Sequence, residues 1–204
     1  MALANDAGCV NKVSQKRVIC AACLRPASAC ICQWVRPVEH EVEVLILQHP
    51  LEVNHAKGTA RLLHMSLPRS RLVTGEVFDE SLFEGSRHVL LYPDAPQAGL
   101  PAVKALSPED LADTNGLCLV VLDGTWRKSL KMLHLNPVLH KMPRFSLVDL
   151  PASNYRIRKA HKPHQLSTLE ATCAALAQLE GDAGKFWPLL DAFSGFVEEQ
   201  MGHR

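Results

Sequence analysis

An acid, an aromatic ring and two cations follow one another at the end of a six-residue apolar run. Residues 117–122 are all apolar, and the next six are Asp123, Gly124, Thr125, Trp126, Arg127 and Lys128. The run predicts a buried strand, and the glycine predicts a turn into a helix. In open α/β sheets, ligands bind outside the carboxyl ends of strands, where the first N–H groups of the next helix hold anions. The segment therefore predicts a site where a charged cofactor meets a nucleic acid.

The elements that position this segment alternate along the chain. Apolar runs predict strands over residues 41–47, 71–73, 88–92, 117–122 and 144–148. Helical spacing and capping signals predict helices over residues 54–65, 125–135 and 167–179, a short helix from Ser107, and a final amphipathic helix over residues 186–197. On the helix that follows Asp123, the spacing predicts a shared face for Trp126, Leu130 and Leu133. The alternation predicts an α/β fold, with a mostly parallel sheet and helices on both faces.

A second group of reactive side chains lies near the N-terminus, where four thiols fall within thirteen positions: Cys20, Cys23, Cys30 and Cys32. Zinc favours four tetrahedral thiolates, and a C-x-x-C pair supplies two of them from one turn. The spacing predicts a closed, structural zinc site with about one ion per chain. An iron–sulfur cluster and four unrelated reduced thiols are the alternatives. We divide the chain into a tail (1–18), a cysteine module (19–36) and a catalytic domain (37–204).

Charge is segregated along the 204 residues, although the net charge is only +1. Residues 127–164 carry nine Lys or Arg against one acid, which predicts a phosphate-binding surface or, alternatively, a solvated basic face.

The six-residue apolar run is too short to span a membrane, and the start of the chain lacks a secretory pattern. Seven cysteines, an odd number, argue against a disulfide framework. We expect a cytoplasmic protein with no obligate protein partner.

Five segments of the chain resemble one known family, the DTW-domain proteins or tRNA-uridine aminocarboxypropyltransferases. Residues 123–126 resemble its D-x-T-W signature, and the cysteine cluster resembles its N-terminal cysteines. Residues 47–50 with 56–59 resemble its first βα segment, and residues 155–159 and 165–171 resemble its C-terminal blocks. The segments occur in the family's order and cover nearly the whole chain.

The resemblance implies a knotted, SPOUT-like fold with loops at the knot that hold S-adenosylmethionine. It further implies transfer of the donor's 3-amino-3-carboxypropyl group to N3 of a uridine in the tRNA variable loop, with release of 5′-methylthioadenosine. The residues that we expect at the donor are Thr59, Leu91, Pro93, Asp123, Thr125, Trp126, Leu166, Ser167 and Thr168.

Asp123 is the candidate catalytic residue. Three roles are open: a base for the uridine, an orienting group, or a counter-charge for the sulfonium. The alternative is that Asp123 only caps the following helix and takes no part in catalysis.

The cations that we expect on the tRNA backbone are Arg127, Lys128, Lys131, Arg156, Arg158, Lys159 and Lys162. Two other functions remain open, an RNA methyltransferase that uses the same donor and a non-catalytic, zinc-containing RNA-binding module.

Overall fold

A single parallel sheet forms the centre of the molecule. The computed structural model describes residues 18–55, 58–93, 106, 113–147 and 166–202. Within these ranges the strands are β1 (Glu43–Gln48), β2 (Ser70–Thr74), β3 (Arg87–Leu91), β4 (Leu117–Asp123) and β5 (Arg144–Phe145). Their order across the sheet is β2-β1-β4-β3-β5, and every neighbouring pair is parallel. The predicted α/β class with a parallel sheet is confirmed.

Helices cover both faces of this sheet. In the described ranges they are α1 (Ala60–Ser66), α2 (Trp126–Leu135), α3 (Pro137–Lys141), α4 (Thr168–Leu179) and α5 (Trp187–Gly202). The central strand β4 is buried along its whole length, so alternate side chains enter two cores. Its odd-numbered residues from 117 to 121 pack with α1, α4 and α5, and its even-numbered residues from 118 to 122 pack with α2 and α3. Each buried aliphatic side chain contributes about 1.5–3 kcal/mol.

Two details of the helix predictions are wrong. The helix expected over 54–65 begins only at Ala60, because Gly58 lies in a tight turn in which its N–H donates to the His55 carbonyl at 2.8 Å. On α2 the buried residues are Ser129, Met132 and Leu133, whereas Trp126 is 52% exposed. Trp126 therefore does not belong to the apolar face that the spacing predicted.

Several predictions fall on residues outside the described ranges. These are most of the tail, the short helix from Ser107, and residues 148–165, which include the end of the strand predicted over 144–148. The knot implied by the resemblance is not confirmed and stays a prediction. Among the helices of the described ranges, none combines the length and apolarity that crossing a bilayer requires.

Candidate functional site

The four cysteines converge in space as their spacing predicted. Their sulfur atoms all lie within 4.8 Å of one another, with 3.6 Å between Cys20 Sγ and Cys32 Sγ and 3.8 Å between Cys23 Sγ and Cys30 Sγ. A tetrahedral zinc ion with bonds of about 2.3 Å would separate its sulfurs by about 3.8 Å. The arrangement is therefore compatible with one zinc ion. It is too tight for a cluster whose cysteines bind different irons.

The thiols of this cluster also favour a cation. Hydrogen bonds from the backbone of Cys23 and Ala22 lower the pKa of Cys20 to about 6, so one thiolate forms readily. The hydrogen bond to Cys30, burial and the neighbouring sulfurs raise the pKa of Cys32 to about 12. Four adjacent thiolates repel one another, so the last proton leaves only when a cation replaces it.

The cysteine module packs directly on the main core. Cys23 and Ile31 are each 1% exposed and belong to the core that contains α5. Trp34 donates a hydrogen bond from Nε1 to Glu199 Oε2 at 2.9 Å, and its ring lies against Gly195 of α5. The module therefore stabilises, and is stabilised by, the last helix.

Asp123 joins three elements at the carboxyl edge of the sheet. It is the last residue of β4 and lies beside Gln48, the last residue of β1, in the parallel register. Gln48 Nε2 donates to Asp123 Oδ2 at 2.9 Å, and Thr168 Oγ1 of α4 donates to Asp123 Oδ1 at 2.7 Å. Both carboxylate oxygens thus accept a hydrogen bond from within the protein, and Asp123 is only 5% exposed.

The surroundings of Asp123 shift the pKa of its carboxyl group and exclude a role as the cap of the following helix. Burial raises the pKa of Asp123, while the hydrogen bonds from Gln48 and Thr168 oppose that change by stabilising the carboxylate. The N-cap of α2 is Thr125, whose hydroxyl accepts from Lys128 N at 3.4 Å. Asp123 is therefore not a helix cap.

An open cavity of about 460 Å³ lies next to Asp123 at the same edge of the sheet. The ends of β3, β4 and β5 and the first turns of α2 and α4 surround it, as expected for a ligand site in a parallel sheet. The first turn of α4 is held by a capping box, in which Ser167 Oγ accepts from Glu170 N and Glu170 Oε2 accepts from Ser167 N. This confirms the predicted helix start.

One wall of the cavity carries a stack of three side chains. The rings of Trp126 and Tyr92 are 5.1 Å apart and inclined by 17°. On the Tyr92 ring the Arg144 guanidinium lies 5.5 Å from the centroid, which is a cation–π distance. Tyr92 and Arg144 are 5% and 7% exposed, so the exposed indole rests on a buried support.

Comparison with known proteins agrees with this architecture. The sequence profile of the DTW domain matches residues 17–201. The chain belongs to the DTW domain family. It is 29% identical over 178 residues to the tRNA-uridine aminocarboxypropyltransferase 2 of Mus musculus. The aligned region covers 82% of this chain and 58% of the relative. It is 30% identical over 172 residues to the protein of that name from Drosophila melanogaster, covering 81% and 68%.

A more distant relative is the tRNA-uridine aminocarboxypropyltransferase A of Arabidopsis thaliana, 28% identical over 143 residues that cover 61% of this chain and 53% of the relative. The chain spans 58% of the length of the mouse relative and of a similar Macaca fascicularis relative. No solved structure matches the chain.

The cavity of this DTW domain collects most of the residues predicted at the donor. Among its described lining residues are Leu91, Pro93, Trp126, Leu166, Ser167 and Thr168. Asp123 lies behind this wall and reaches it through Thr168. Thr59, the buried N-cap of α1, and Thr125 are not among the described lining residues.

The basic residues predicted on RNA have different surroundings. Arg127 is exposed on α2. Lys128 Nζ lies 2.7 Å from Glu52 Oε1 and Lys131 Nζ lies 2.6 Å from Glu76 Oε2. Lys131 is 55% exposed, and an exposed ion pair contributes about 0–1 kcal/mol, so a phosphate can replace its partner. The other four predicted cations, Arg156, Arg158, Lys159 and Lys162, lie outside the described residues.

Gln48 and Tyr92 are two of the site residues that were not predicted. Gln48 is 5% exposed and holds Asp123. Its signal in the sequence is a polar side chain directly after the apolar residues 44–47 of the strand. Tyr92 follows β3 and stacks under Trp126. Its signal is an aromatic residue between that strand and Pro93, at the edge where ligands bind.

Proposed function

We propose that this DTW domain is a tRNA-modifying transferase that moves the 3-amino-3-carboxypropyl group of S-adenosylmethionine to N3 of a uridine in tRNA. The observation that carries the proposal is the D-x-T-W segment, whose aspartate is buried under the wall of an open cavity at the carboxyl edge of the sheet. The names of the mouse, fly and plant relatives support the substrate and the transferred group.

The cavity is the proposed donor site. Its volume of about 460 Å³ lies in the range that binds small organic ligands. Apolar residues such as Leu91, Leu147 and Leu166 line it and suit an adenosine, while the first turn of α4 offers a positive helix end for the donor's carboxylate. Asp123 supplies a negative charge close to a sulfonium.

The donor supplies an electrophilic carbon next to a positively charged sulfur. In the proposed transfer, uridine N3 forms a bond to that carbon, and the carbon–sulfur bond breaks. The electron pair stays on sulfur, which leaves as the neutral thioether 5′-methylthioadenosine. The N3 proton passes to a base or to solvent.

We propose that Asp123 orients and neutralises charge, and does not itself take the proton. Both of its oxygens accept hydrogen bonds from Gln48 and Thr168, and the residue is 5% exposed. The carboxylate therefore fixes the Thr168 hydroxyl at the cavity wall. A nearby sulfonium stabilises the charged form of Asp123 against the burial that raises its pKa.

The cysteine cluster has a structural part in this proposal. Cys20, Cys23, Cys30 and Cys32 would hold one zinc ion in a closed shell, which leaves no coordination position for a substrate. The ion would fix the module against α5. The exposed cations of α2 and the basic residues 156–162 would bind the tRNA backbone.

The identity of the by-product tests the proposal. Purified protein is incubated with S-adenosylmethionine and an unmodified tRNA transcript, and the small molecules and tRNA nucleosides are separated by mass spectrometry. We expect 5′-methylthioadenosine and a uridine that carries the added group. S-adenosylhomocysteine would identify a methyltransferase, and donor that is neither bound nor consumed would leave a non-catalytic RNA-binding module.

Substitution of Asp123 tests its part in the reaction. Asp123→Asn is expected to lower turnover steeply, because an amide carries no charge and offers only one acceptor oxygen to its two donors. Asp191→Asn, an exposed change on α5, is the control and is expected to keep full turnover. Near-normal turnover of Asp123→Asn would contradict the assigned role.

A further inference from the structure

We propose that the outward face of Trp126 is a stacking surface for an unpaired nucleobase of the RNA substrate. The inference rests on the proposed function, because it requires an RNA that approaches the cavity. It adds a binding surface for the acceptor strand that is separate from the apolar interior of the cavity.

The exposure of Trp126 is the first observation. A large aromatic side chain is 52% exposed in the first turn of α2, while Met132 and Leu133 of the same helix are fully buried. One face of the indole lies on the Tyr92 ring, with centroids 5.1 Å apart and planes inclined by 17°. The opposite face is therefore the one that remains for a ligand.

The support beneath the indole is buried. Tyr92 is 5% exposed, and its hydroxyl is buried without a hydrogen-bond partner among the described residues. Its ring is within contact distance of the Trp126 indole, at 5.1 Å between centroids, and of the Arg144 guanidinium, at 5.5 Å from the Tyr92 centroid. A preformed flat surface loses little conformational entropy when a planar ligand binds, and this favours stacking.

The surroundings of Trp126 select a nucleic acid as the ligand. Arg127 is exposed beside it, and Lys131, which is 55% exposed and paired with Glu76, lies five residues further along α2. An aromatic surface with cations on its rim is how proteins bind single-stranded nucleic acid, with the base on the ring and the phosphates on the cations. Trp126 also lines the proposed donor cavity, so a base stacked on it lies next to the proposed site of transfer.

Trp187 provides a matched control. It is 55% exposed at the start of α5, almost as much as Trp126, and no ring of the described residues stacks on it. A general effect of removing an exposed tryptophan would therefore appear equally at both positions. An effect of a supported stacking surface would appear at Trp126 alone.

The experiment measures binding of an unmodified tRNA transcript to the full chain without donor. The variants are Trp126→Leu, Trp126→Phe, Tyr92→Leu and Trp187→Leu, each checked for cooperative unfolding. Stacking of one base on an aromatic side chain predicts about tenfold weaker binding for Trp126→Leu. Trp126→Phe, which keeps an aromatic ring, is expected to lose much less, and Tyr92→Leu is expected to lose affinity because the indole loses its support. Trp187→Leu is expected to bind as the unchanged protein does.

Unchanged tRNA affinity in Trp126→Leu would overturn the inference, as would an equal loss in Trp126→Leu and Trp187→Leu. A loss in Trp126→Phe as large as that in Trp126→Leu would also overturn it, because stacking would not then be the cause. If the unchanged protein does not bind tRNA, that result contradicts the proposed function and not the stacking surface. The two failures are therefore distinguishable.

Discussion

Thr168→Val removes one of the two hydrogen bonds that side chains of the described residues donate to the Asp123 carboxylate. The hydroxyl of Thr168 donates to Asp123 Oδ1 at 2.7 Å, and valine has nearly the same shape without a donor. Because Asp123 is 5% exposed, water does not readily replace the lost partner. A hydrogen bond to a charged group contributes about 1.5–3 kcal/mol. We therefore expect the free energy of unfolding to fall by about 2 kcal/mol while Asp123 is ionised.

The size of this loss depends on pH. Burial raises the pKa of Asp123 in the folded protein, and the hydrogen bonds from Gln48 and Thr168 partly oppose the rise. An acid whose pKa is raised by folding stabilises the protein most below its unfolded pKa, and that stability is lost as pH rises through the folded pKa. Thr168→Val raises the pKa of Asp123 further. The loss of stability should therefore be small at acidic pH and largest above the folded pKa of both proteins.

Urea unfolding over a series of pH values measures this effect, with Thr172→Val as the matched control. Thr172 is fully buried one turn further along α4, and its hydroxyl donates at 2.7 Å to the carbonyl of Thr168, which is uncharged. Its loss should cost about 1 kcal/mol and should not vary with the ionisation of Asp123. If both variants lose the same stability at every pH, the hydrogen bond to Asp123 is not a charged one and the reasoning is refuted.

Three further changes test other parts of the structure. Removal of zinc by a chelator should lower the melting temperature by more than about 5 °C. Metal analysis must first confirm that the zinc is gone. If the Tm is then unchanged, the ion is not structural. Tyr92→Phe should leave the free energy of unfolding unchanged or raise it by about 1 kcal/mol in denaturant titrations, because the lost hydroxyl is buried and has no hydrogen-bond partner among the described residues. A clear loss of stability would contradict this. Gly195→Ala should cost about 1–3 kcal/mol, because its Cβ would lie 2.3 Å from the Trp34 ring. Gly184→Ala, whose Cβ would have only a 3.6 Å neighbour, is the control and should cost much less.

The sequence predicted the sheet because β1, β3 and β4 each contain a short apolar run, and such a run can be recognised from neighbouring residues alone. The same holds for the capping box of Ser167 and Glu170, whose residues are three apart. The start of α1 was placed too early because Gly58 lies in a tight turn, where a Cβ would lie 3.0 Å from the His55 carbonyl oxygen. The spacing of hydrophobic residues does not reveal such a turn.

The details of the site depend on contacts between distant residues, which local patterns do not contain. Gln48 and Asp123 are 75 residues apart in sequence and meet only through the register of β1 and β4. The burial of Ser129, and with it the outward position of Trp126, depends on how α2 is rotated against the sheet. Trp126, Leu130 and Leu133 have suitable helical spacing, so the sequence alone did not decide between the two faces.

Contacts of one arginine connect the cysteine module to this edge of the sheet. Arg25 follows the C-x-x-C turn; its Nη2 donates to the His55 carbonyl at 2.9 Å, and its guanidinium lies 5.9 Å from the centroid of the Phe196 ring on α5. The segment after β1 that contains His55 also contains Glu52, which pairs with Lys128 in the first turns of α2. A continuous series of contacts thus runs from the thiols to the helix that begins with Trp126. A metal ion in the cysteine cluster would therefore help to position the stacking surface, although it lies outside the cavity and has no open coordination position.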